Sequence, residues 1–143
     1  MLHHAEDDQR CYDEVLRVLK PGGKAFLMLY RRGGPKYRWQ VLFRQGILGG
    51  GLRRHNWDVD RFVYSVTDAH DGPGAPISRH YRRHELDVLF KAFRSRRYRV
   101  SGNAAEWDDL PFAKIPLTNL LPRVLRRRLV ELSGAYWLIE LQK

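Results

Sequence analysis

Val18-Leu19-Lys20-Pro21-Gly22-Gly23-Lys24 runs directly into Ala25-Phe26-Leu27-Met28-Leu29-Tyr30, and the reading of this stretch decides the fold. Proline cannot continue a helix, and glycine takes the left-handed conformation that a helix C-terminal cap uses, so Pro21-Gly22-Gly23 marks a helix end. The next run, 24–30, is short, bounded by glycine and without polar alternation. A strand apolar on both faces is normally covered by helices on both sides, so it is expected in the middle of a parallel sheet.

Working back from the turn, residues 5–19 have the period of an amphipathic helix. Cys11, Val15 and Val18 form one stripe, and Tyr12, Leu16 and Leu19 the next. Glu6, Asp7 and Asp8 fall in the first turn, Arg17 and Lys20 in the last, which suits the helix dipole. Asp13 and Arg17 stand at i,i+4 as a favourable pair. Cys11 reads as plain core.

Working forward, Pro35 opens a candidate helix with Trp39, Leu42, Phe43 and Ile47 on one face, among Arg31, Arg32, Lys36, Arg38 and Arg44. Such an element can be a lid over a pocket, with Trp39, Leu42 and Phe43 facing the substrate, or a basic helix lying on an anionic membrane. Gly49-Gly50-Gly51 reads as a flexible hinge. Residues 67–76 are loop chemistry, dense in Gly, Pro and Asp. A helix is expected over 83–93, from the spacing of Leu86, Leu89, Phe90 and Phe93, with Glu85 as the acidic half of a capping box whose Ser or Thr half is missing, since Arg82 stands there. Residues 96–102 alternate as a half-solvated edge strand, its arginines blocking association with other sheets. After an irregular stretch at 104–121, Pro122 opens a helix with Val124, Leu125, Leu129 and Leu132 inward. Residues 135–142 form a last strand, with Trp137, Ile139 and Leu141 on one face and Tyr136 and Leu138 on the other.

The whole chain, 143 residues with 43% hydrophobic and 12% aromatic residues, fits one domain with one sizeable core. No stretch approaches the roughly 20 apolar residues of a membrane span, and the acidic start has no apolar core of a secretory signal. A lone cysteine excludes an internal disulfide and a thiolate cluster. A soluble, cytoplasmic protein is the default expectation. The net charge is +10, from 20 Arg and 6 Lys against 16 acids. That excess is either ordinary solvated surface or the footprint of a polyanionic partner, nucleic acid or anionic membrane.

Leu2-His3-His4, the spacing to Glu14 and Arg17, and Val18-Leu19-Lys20-Pro21-Gly22-Gly23-Lys24 together resemble the class I S-adenosylmethionine-dependent methyltransferases, most nearly the broad "type 11" set. Thr67-Asp68 through Pro76-Ile77-Ser78-Arg79-His80-Tyr81, followed by Glu85-Leu86, is similar to a loop of some members. The resemblance implies the C-terminal half of a Rossmann-like α/β sheet ordered 3-2-1-4-5-7-6 with the seventh strand antiparallel. Residues 24–30 would be the fifth strand, 96–102 the sixth and 135–142 the seventh. Residues 31–81 and 103–133 would be lid or insertion segments within one partial domain, 1–143.

The cofactor implied is S-adenosylmethionine, yet the glycine-rich loop and the ribose-binding acid of the family have no match here. Gly49-Gly50-Gly51 and Gly72-Pro73-Gly74 do not follow a strand and open a helix. The isolated chain is therefore expected not to bind the cofactor. Leu2, His3, His4 and Tyr30 would border cofactor and substrate, the histidines as positioning groups or general base, or else as loop-shaping residues. No catalytic residue is named. Adjacent histidines point apart on a strand, so no metal is expected. The methyl acceptor stays open. The edge of strand 24–30 would invite self-association or a complementing chain. The alternative is a non-catalytic basic module for nucleic acid or anionic membrane.

Overall fold

The computed structural model describes residues 5–67, 77–108 and 117–143, the side chain of Leu117 excepted. It is an α/β fold built on one mixed four-stranded sheet, ordered β2-β1-β4-β3: His80–Tyr81, Lys24–Arg31, Tyr136–Gln142 and Ser95–Ser101. The last strand lies antiparallel between the first and third, with Leu27 opposite Ile139 and Tyr98 opposite Ile139. β2 runs parallel to β1, with Tyr30 opposite His80 and Arg31 opposite Tyr81. β3 is thus an edge strand, as expected, while β1 is flanked on both sides only at Tyr30 and Arg31, where β2 joins it. The sheet is not a parallel one, because the long neighbour of β1 is antiparallel.

Helix α1 spans Asp8–Val18. Asp7 caps it, its Oδ1 accepting from the Arg10 N–H at 3.0 Å. Arg17 pairs with Glu14 at 2.8 Å rather than with Asp13, which accepts from Gln9 instead. The helix ends at Leu19 in extended backbone, and the two glycines shape the turn into β1 rather than the helix end. Gly23 N–H donates to the Lys20 carbonyl at 2.8 Å, with Gly22 at φ +74°. Proline then glycine in the central positions is the chemistry of a type II turn, not of a left-handed helix cap.

The inner sheet face carries the core. Tyr12 of α1, Leu29, Trp137, Ile139 and Leu141 of the sheet, Leu86 and Leu89 of α4 (Arg83–Leu89), and Phe90 just after it are all buried together. α4 is shorter than expected; Phe90 and Phe93 pack from the turn beyond it. Glu85 supplies its half of the cap, accepting from the Arg82 N–H at 2.5 Å. The outer face contradicts the expectation of a cover on both sides. Phe26 is 74% and Met28 55% exposed, and Leu138 is exposed between them and Arg99. Cys11 is half-buried rather than core.

Between β1 and β2 the chain builds a second, smaller core. A π-helix, Lys36–Leu48, leads to α2 (Gly51–Arg54) and α3 (Val59–Val66). Tyr37, Leu52, Phe62 and Val63 are buried there, with Val41 and Leu42 against them. The i→i+5 turn is wider than the α-helical one assumed from sequence, so the inward residues are spaced four to five apart. Trp39 and Ile47 turn outward as a result. Gly51 is no hinge: a Cβ there would collide with the Phe62 ring, so glycine is needed for close packing. Asn56 and Trp57 both adopt positive φ, 52° and 61°. For a bulky residue such as Trp57 this costs ~1–2 kcal/mol. Its N–H donates to the Leu52 carbonyl at 2.8 Å.

α5 (Arg123–Ser133) also departs from expectation, since none of its residues is buried. Val124, Leu125 and Leu132 are exposed. Arg126, Leu129, Val130 and Ser133 are the partly covered stripe, and Trp107 Nε1 donates to Ser133 Oγ at 2.7 Å. Among the described residues no helix is long and apolar enough to cross a membrane.

Candidate functional site

Alternation along a strand puts Phe26, Met28 and Tyr30 on the outer face, and register places Tyr136 beside Tyr30 and Leu138 beside Met28. At the C-terminal end of β1 this bare face stops being bare. The π-helix closes over it, leaving a cavity of about 310 Å³ lined by Tyr30, Arg31, Lys36, Tyr37, Gln40 and His80, among others.

Aromatic rings form its floor and wall. Tyr30 stacks on His80 with centroids 5.0 Å apart and an interplanar angle of 19°. Tyr136 lies 5.6 Å from Tyr30, and Tyr37 5.3 Å from His80. Tyr136, Tyr30, His80 and Tyr37 thus make a continuous row, brought together from β4, β1, β2 and the π-helix. Tyr37 is buried, which pushes its phenol above the ordinary value against the pull of Arg32.

Among the described residues the charges of the lining have one sign. Arg31 and Lys36 contribute cations, Gln40, Gln45 and Thr67 contribute neutral polar groups, and no Asp or Glu among the described residues lines the cavity. Arg31 is anchored: it donates to the Gly134 carbonyl at 3.2 Å and its guanidinium lies 5.3 Å over the Trp137 ring. Burial, and then the neighbouring Arg38, lower its pKa from the ordinary value. His80 Nδ1 lies 3.1 Å from the Ser78 carbonyl. A carbonyl only accepts, so Nδ1 carries the proton, and in the neutral ring Nε2 holds the lone pair. The described residues of the site therefore offer stacking surfaces and positive potential.

Behind the Tyr37–His80 wall lies a second cavity of about 290 Å³ with a different character, lined by Asp8, Arg32, Asp60, Ser78, Arg79 and Tyr81 among others. Tyr81 donates to Asp8 Oδ2 at 2.9 Å, and Arg79 lies 3.6 Å from the same carboxylate. Burial raises the pKa of both Tyr81 and Tyr12 beside it. Opposite charges here face one another, so this network ties α1 to β2.

Of the residues expected at the site, Tyr30 stands in the ring row. Leu2, His3 and His4 lie outside the described residues, as does the loop 68–76. Trp39, Leu42 and Phe43 belong to the π-helix, but none lines the cavity: Leu42 packs into the second core, and Trp39 sits edge-on to Phe43 at 5.9 Å. The residues facing inward from that helix are Lys36, Tyr37, Gln40, Val41 and Gln45. His80, Tyr37 and Tyr136 join the site only in the structure. Strand alternation already puts Tyr136 opposite to Trp137, and His80 lies within the segment that carries the family resemblance. Tyr37 is hidden by the α-helical period. Among the described residues no cluster of His, Cys, Asp and Glu could hold a metal ion. Comparison with protein-family models, with curated proteins and with solved structures found no match.

Proposed function

We propose that this chain supplies the acceptor side of an S-adenosylmethionine-dependent methyltransferase of Rossmann-like architecture, as part of a longer enzyme. The observation that carries the reading is the sheet order: an antiparallel last strand inserted between β1 and β3 is the order 5-7-6 that the resemblance implies. The cavity's position supports it, since α/β sheets bind ligands beyond the carboxyl ends of their strands.

The described lining does not suit the cofactor itself. Ribose hydroxyls want a carboxylate, and none of the described residues lining it supplies one; a sulfonium would face Arg31 and Lys36. What the cavity suits is the acceptor: a planar group slides onto Tyr30 and Tyr136, and a negative charge on it is met by Arg31 and Lys36. His80 backs this surface, stacked on Tyr30 with its Nδ1 3.1 Å from the Ser78 carbonyl. Orientation in such a pocket is the main contribution expected of the protein.

Titration calorimetry with S-adenosylhomocysteine tests the division of labour. The 143-residue chain is expected to give no micromolar binding, and the chain extended by its upstream reading frame is expected to bind. Micromolar binding by the 143 residues alone sinks the division. An extended chain that ignores the ligand sinks the methyltransferase reading.

A further inference from the structure

We propose that the segment from Lys36 to Trp57, the lid over the cavity, docks on an anionic lipid surface. Over these 22 residues the chain carries Lys36, Arg38, Arg44, Arg53 and Arg54 and not one Asp or Glu. The nearest acids in sequence are engaged elsewhere: Asp58 caps α3 and pairs with Arg61, and Asp60 pairs with Arg32. Arg44, Arg53 and Arg54 form no ion pair with any described carboxylate.

Apolar side chains stand out from the same segment. Ile47 and Leu48, at the end of the π-helix, are 54% and 57% exposed, and Trp57 is 66% exposed on its left-handed turn. They are not surplus core, because the inward side of the segment is already filled by Tyr37, Leu52, Phe62 and Val63. A tryptophan held outward in a left-handed conformation, in one segment with arginines that no described carboxylate pairs, is the composition of a membrane-interface site. Tryptophan settles at the headgroup level, aliphatic side chains enter the acyl boundary, and arginines are drawn by the negative surface potential. Charge complementarity therefore selects an acidic lipid surface. A single-stranded nucleic acid would use the arginines and the indole but leave Ile47 and Leu48 against solvent.

The test is co-sedimentation of the full chain, at low salt and without cofactor, with two kinds of vesicle: phosphatidylcholine alone, and phosphatidylcholine with phosphatidylglycerol. Binding is expected only to the second, weakening as salt rises. R53Q and R54Q should each reduce it about fivefold, while R53K and R54K keep it. W57S and I47S should weaken it with an unchanged circular dichroism spectrum. Equal binding to both vesicles, no binding to either, or variants that bind as well as the parent would overturn the proposal. So would an RNA oligonucleotide that binds where vesicles do not, or variants whose only effect is to relieve self-association. Because no cofactor or acceptor is present, these outcomes leave the methyltransferase reading to its own experiment.

Discussion

β1 and β4 put apolar side chains on both faces of one sheet, and the two faces have opposite fates. On the inner face Leu29 and Ile139 are each 2% exposed under α1 and α4; on the outer face Phe26 and Met28 meet solvent. The backbone, register and residue types are shared, so the difference lies in what is laid on top. The outer face becomes covered only toward its Tyr30–Tyr136 end, beneath the π-helix, and that is where the ring-lined cavity forms. A packed face supplies stability, and a partly covered face supplies a place to bind.

The largest effect should come from the packed face. Leu141→Ala removes a fully buried side chain between strands that cannot collapse around the gap, and should cost ~2–5 kcal/mol in urea unfolding. Leu138→Ala, three residues earlier and on the other face, should cost well under half of that. Equal losses would break the comparison, because they would mean the outer face is packed in solution.

The second core offers an intermediate effect. Gly51→Ala forces a Cβ into the Phe62 ring, and overpacking of that kind should cost ~1–3 kcal/mol. If the triple glycine acted as a hinge, the same substitution would instead be neutral or stabilising. Thermal melting separates the two outcomes, and the loss should be read by a probe in α3, where Phe62 sits.

Local rules read from sequence hold where packing agrees with them. Asp8 and Arg17 in the end turns of α1, the half-box of Glu85 and the alternation of β4 are legible because each depends on neighbours within a few positions, while Glu6 and Lys20 fall outside the helix. The outer face of β1 is not, since apolarity shows that a strand tolerates cover and says nothing of whether cover is present. The π-helix misleads for a related reason: a helical period has to be assumed, and the wider turn moves Trp39 out and Tyr37 in. α5 misleads because its leucines fit an inward stripe, while contact with β3 and Trp107 selects the Arg126–Leu129–Ser133 stripe. For the site, Tyr30 is accessible from strand polarity alone. The ring row needs the register of three strands and the return of the chain at His80, which no local pattern encodes.

A smaller, pH-dependent effect probes the covered end of the outer face. Glu106, on the 3-10 turn Ala104–Trp107, borders the same surface as Met28 and Tyr136. Burial raises its carboxyl above the ordinary 4.5, only partly offset by the Asn103 N–H at 2.9 Å. With a folded pKa above the unfolded one, the native state binds more protons in that interval, so stability falls as pH rises from 4.5 through the raised value. Glu106→Gln abolishes that titration. The difference in stability between parent and variant should therefore change across this window and be flat on either side. A flat difference throughout would mean that Glu106 is solvated and that the end of the face is as open as its middle.

The smallest expected effect is also the most discriminating. Phe26→Ser with Met28→Ser removes two exposed side chains, and surface changes of this kind usually stay within ~0.5 kcal/mol. A near-zero change in a monomeric sample would mean the outer face is open in the isolated chain. A cost approaching that of Leu141→Ala, growing with protein concentration, would mean that a second copy covers the face. Sedimentation velocity on parent and double variant decides between them: loss of a dimer in the variant identifies self-association, while monomers in both keep the two faces as different in solution as they are in the fold. β1 also has an edge without a partner strand, since β2 pairs only with Tyr30 and Arg31 and among the described residues no strand pairs with 24–29 on that side. Edge pairing would survive the serine substitutions, because it depends on backbone groups rather than on Phe26 and Met28. A dimer that persists in the double variant therefore assigns association to the edge and leaves the face open.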